Sequence, residues 1–131
     1  MVEISKNMKI VILINAIAGI LYGIFYLIIP EVTLGIRDSH NYDPQFWRIF
    51  GATVIAFAVF LLVSIQRAEW DNIKILVELI ILWLILIVIV NFITLATVPY
   101  SAAGLAAQWF DNIIIIILII VDVFFYQKEN K

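Results

Sequence analysis

The chain has 131 residues, 65% of them hydrophobic and 14% charged, with a mean hydropathy of +1.11 and a formal net charge of −2 from 8 basic and 10 acidic side chains. A water-soluble domain carries roughly 45–50% apolar and about 25% charged residues, so this composition leaves too little polar surface to face water, and the solvent it implies is lipid. With no basic run, no cysteine and a single histidine, His40, it excludes a nucleic-acid footprint, disulfides, thiolate metal centres, cysteine nucleophiles and clustered imidazoles.

The first apolar run covers residues 10–29 and is closed by Pro30. Lys6 and Lys9 before it resemble the start of a secretory signal, but the run exceeds the roughly 7–15 residues of a signal core and reads as a retained transmembrane helix. Within it Asn15, Gly19, Tyr22 and Tyr26 step by four, three and four, which places a polar and small stripe on one face. Gly19 and Gly23 also have the GxxxG spacing, which serves either a dimer contact or close packing inside the bundle.

The connection at residues 31–46 is the longest polar segment and is expected to be a loop. Its His40 lies among Asp38, Asn41, Tyr42 and Asp43, a grouping that a metal or a proton could use but that solvated loops commonly show. A second span is expected at 46–65, with Arg48, Ala52 and Ala56 as its small and polar stripe and Gly51 beside it. The third is expected at 75–98, closed by Pro99. It carries Glu78 and Asn91 thirteen residues apart, nearly opposite one another at about 100° per residue.

A fourth span is expected at 107–126, because the ten residues between Asp111 and Asp122 cannot cross a hydrocarbon layer of about 30 Å. A start at Ser101, a good N-cap residue after Pro99 and Tyr100, is the other option and would set Asp111 deeper. The expectation is therefore an all-α, integral membrane four-helix transmembrane bundle forming one membrane domain, 1–131.

Five polar residues fall inside these spans: Asn15, Glu78, Asn91, Asp111 and Asp122. A central Asp costs about 2.5–3.5 kcal/mol on an insertion scale, so each polar group needs either a partner or a function. Depth sorts them into two layers. Asn15, Glu78 and Asp122 share the layer near the termini, and Asn91 and Asp111 share the other with Tyr22, Tyr26, Arg48 and Thr94. Lys74 stands four residues before Glu78 on the same helical face, so a simple ion pair could account for Glu78. Arg48 and Asp111 enter from the same side and are expected to form a charge pair or share a polar network across helices two and four. Arg48, Asn91, Asp111, Asn15, Glu78 and Asp122 are thus the candidate binding residues. No catalytic motif is present, and neither a metal nor a cofactor is implied.

Lys6, Lys9, Arg67, Lys74, Lys128 and Lys131 fall on the side of the termini, against Arg37 and Arg48 on the other, which favours a cell-membrane protein with both termini cytoplasmic. The first half resembles the small four-helix prokaryotic membrane proteins of the DoxX-like kind. A glycine-bearing first helix ends in proline (Gly19, Gly23, Pro30), a polar loop follows, and Arg-x-x-Gly opens helix two (Arg48, Gly51). The resemblance implies a four-helix membrane fold and carries no activity. Because one small bundle buries one face of helix three well, Glu78 and Asn91 suggest self-association or other membrane subunits as partners besides the lipid bilayer. The functional expectation is a structural or accessory membrane subunit, with a small carrier, channel or lipid-binding protein as the alternative.

Overall fold

A computed structural model describes residues 3–38, 43–67 and 69–131. Among the described residues five helices follow in chain order: α1 (Lys6–Ile28), α2 (Pro30–Ile36), α3 (Pro44–Arg67), α4 (Trp70–Thr97) and α5 (Ala102–Glu129). The fold is all-α, and α1, α3, α4 and α5 are each long and apolar enough to cross a membrane. Each outruns the apolar stretch that marks it at one end or both, because polar residues such as Lys6, Asp71 and Glu129 continue the helix beyond the hydrocarbon.

Local chemistry sets the ends. Ser5 caps α1, its hydroxyl accepting from the Met8 N–H at 3.2 Å. Pro30 lacks the N–H that would continue α1 and instead opens α2 at its first turn. The Asp43 carboxylate accepts from the N–H groups of Gln45 (3.0 Å) and Phe46 (3.4 Å) at the start of α3. The last helix takes the longer of the two expected forms: Ser101 is its N-cap and accepts from the Gly104 N–H at 3.1 Å, so α5 begins at Ala102 rather than 107. The expected loop 31–46 is also corrected, since its first part is α2; His40 lies outside the described residues.

Glycines bring α1 and α3 together. A Cβ on Gly51 would stand 2.7 Å from the Gly23 carbonyl oxygen and 2.8 Å from the Leu27 nitrogen, and one on Gly19 would stand 3.1 Å from Ala58 Cβ. The GxxxG pair is therefore occupied inside the bundle. Gly51, Val54, Ala58 and Leu61 form the buried face of α3, while Arg48, Ala52 and Ala56, expected to face inward, are exposed. The main core joins Met8, Ile12 and Ala16 of α1, Leu61 of α3, and Ile73, Val77, Ile80 and Leu84 of α4, with Ile115, Leu118 and Ile119 of α5 packed against it. The outer surface carries exposed large apolar side chains such as Leu21, Phe60, Ile75 and Ile120, as a lipid-facing surface requires.

Candidate functional site

Asp111 and Asp122 are eleven residues apart on α5, a net rotation of about 20°, so both face the same way, toward α1. Polar links cross this seam at three levels. Near the termini the Ser5 N–H donates to Glu129 Oε1 at 2.8 Å, and the Ser5 hydroxyl donates to the same carboxylate. Deeper, Asn15 Nδ2 donates to Asp122 Oδ1 at 2.5 Å and to the Val11 carbonyl at 3.0 Å. Toward the far end the Tyr22 hydroxyl donates to Asp111 Oδ1 at 3.0 Å. Between the two deep links lie Ile115, Leu118 and Ile119, about 16 Å of apolar helix.

Arg37 neutralises Asp111. Its Nε bonds Asp111 Oδ2 and its Nη2 donates to Oδ1 at 2.9 Å, a bidentate pair whose side chains are 15% and 10% exposed. α2 delivers this guanidinium. The Thr33 hydroxyl ties α2 to the end of α1 through the carbonyls of Phe25 (3.1 Å) and Ile29 (2.9 Å), and Arg37 Nη1 donates to the Thr33 carbonyl at 3.0 Å. The guanidinium carbon also lies 5.7 Å from the centre of the Tyr26 ring. Asp38 follows with φ of 53° and accepts from the Ser101 N–H at 2.8 Å, which fixes the turn against the start of α5.

The expected pairing of Arg48 with Asp111 is not formed. Arg48 is exposed at the start of α3 and makes no hydrogen bond or ion pair among the described residues; the guanidinium on the Asp111 carboxylate is that of Arg37. The Lys74–Glu78 pair is replaced as well: Lys74 approaches Asp71 at 3.4 Å, and the Tyr126 hydroxyl of α5 donates to Glu78. Asn91 Nδ2 donates to Asn112 Oδ1 at 2.8 Å, so α4 also fastens to α5. Sequence reasoning missed Asn112, which is 0% exposed, although an amide preceding five isoleucines was a visible signal. It missed Arg37 as a site residue because a loop position gave no depth.

Asp122 differs from Asp111 in one chemical respect. It is 2% exposed and its Oδ2 has no hydrogen-bond partner, nor does a cationic side chain approach it among the described residues. The carboxylate lines a cavity of about 10 Å³ bordered by Asn15 and Ile12 of α1, Leu61 of α3 and Val77 and Ile80 of α4. All four long helices therefore meet at this carboxyl group. The space accommodates one water-sized guest.

Comparison of the chain with family models, with curated proteins and with solved structures finds no match. The functional reading rests on the chemistry of these residues.

Proposed function

We propose that this chain is a small membrane protein of the carrier or channel class that takes up a proton or a small monovalent cation at Asp122. The observation that supports it is the unpartnered, buried Asp122 Oδ2 beside a one-guest cavity at the meeting point of four helices. A carboxylate taken out of water without a cationic partner carries a cost of several kcal/mol, which a proton or a bound cation removes. Asp111 illustrates the other solution, a fixed arginine, and so has no need of an exchangeable partner. The lysine and arginine bias supports a cell-membrane location with both termini cytoplasmic, which places Asp122 in the cytoplasmic half.

The test is flux into proteoliposomes, read with an internal pH dye and a sodium-sensitive dye under imposed proton and sodium gradients. Wild-type protein carries one of the two ions and the Asp122→Asn variant carries neither. Flux that is equal in both proteins, or absent from both, overturns the proposal.

A second reading, a structural or accessory subunit, is favoured by the links between other polar groups of the spans: Asn91 with Asn112, whose Nδ2 has no partner of its own, Glu78 with Tyr126 and Arg37 with Asp111. On that reading Asp122 is helix-docking glue, and a fixed partner copurifies in mild detergent. The particular reason for expecting a second chain is weaker than in the sequence, because Glu78 and Asn91 both meet α5 of the same chain.

A further inference from the structure

An open groove of about 250 Å³ runs between α1 and α3 at the end of the bundle that holds the termini. On α1 its wall is Lys6, Lys9, Ile10 and Leu13, spaced as a single helical face; on α3 it is Leu62, Ile65 and Gln66. The glycine contacts at Gly19, Gly23 and Gly51 bring these helices close in the other half, whereas larger side chains line the groove here.

We infer that this groove binds an anionic phospholipid, with the phosphate held by Lys6 and Lys9 and an acyl chain lying along Ile10, Leu13, Leu62 and Ile65. Charge complementarity selects the occupant. Both cations and the Gln66 amide stand at the end of the groove nearest the membrane surface, and Ile10, Leu13, Leu62 and Ile65 make an apolar wall beyond them, which is the polarity of a lipid with a negative headgroup. Lys6 has no hydrogen bond or ion pair among the described residues. Lys9 meets only Glu3 at 3.4 Å, and that carboxylate is 89% exposed, so water readily takes it in exchange for a phosphate. The site is separate from Asp122, and its failure would leave the reading of that residue untouched.

Native mass spectrometry of the delipidated full chain tests the assignment, using equal amounts of phosphatidylglycerol and phosphatidylcholine with identical acyl chains. The expected result is at least a fivefold preference for phosphatidylglycerol that disappears in Lys6→Gln/Lys9→Gln and persists in Lys128→Gln/Lys131→Gln, which removes two charges at the same end. The deacylated headgroup alone is expected not to bind. Absence of the preference, its survival in Lys6→Gln/Lys9→Gln, equal loss in the control variant, or equal binding of the free headgroup would each overturn it.

Discussion

Two aspartates on one face of α5 meet opposite circumstances in this protein. Asp111 is held by Arg37 and Tyr22, and removing the guanidinium would leave a buried charge with only a phenol beside it. Arg37→Ala is therefore expected to destabilise the fold by about 3–5 kcal/mol, and Asp111→Asn in the same chain to recover a large part of that. Reversible unfolding in mixed micelles measures both, and additive losses in the double variant would show that the two residues do not act as a pair. The sequence made Asp111 and Asp122 visible, because any carboxylate within an apolar run stands out. It concealed the partner of Asp111, since the depth of Arg37 depends on a seven-residue helix that turns the chain back under α1.

At the level of helices, the prolines and glycines carried most of the legible information. Pro30 and Pro99 mark helix ends, and the GxxxG spacing marks a close approach whose partner the sequence left open. The partner is α3, and the approach is limited by backbone atoms that cannot move aside. Gly51→Val is expected to cost about 1–3 kcal/mol or more through overpacking against Gly23 and Leu27. Gly35→Ala, where a Cβ meets nothing within 4 Å, serves as the control and is expected to leave stability unchanged or slightly raised. Equal thermal stability of Gly51→Val and wild type in detergent would show that the α1–α3 contact is looser than described. The inward face of α3 was misread by one step, from Arg48–Ala52–Ala56 to Gly51–Val54–Ala58, because small residues occur on both faces and only packing against α1 distinguishes them.

For the whole molecule, four helices able to cross a membrane put the two termini on one side, and the orientation proposed above from the positive-inside bias takes that side as cytoplasmic. Cysteines introduced at Gln127 and at Asn72, in a chain that has none of its own, are expected to react only with reagents supplied from the cytoplasmic side. Labelling of either from outside would reverse the orientation, and labelling from opposite sides would change the number of spans. The bundle itself was legible because hydropathy and span length follow directly from the thickness of a bilayer. Its polar pairings were not, because they depend on helix rotation and on which neighbours α5 meets.

The account turns on Asp122 as an exchangeable site where the four long helices meet. Difference infrared spectroscopy of the protein in nanodiscs, comparing low with high pH and sodium-free with sodium-loaded samples, observes its carboxyl group directly. The predicted result is a carboxyl band that responds to one of these changes in wild type and in Asp111→Asn but is missing from Asp122→Asn. A spectrum in which no band depends on Asp122 under either change would contradict the account and leave that residue a fixed hydrogen-bonding link between α1 and α5.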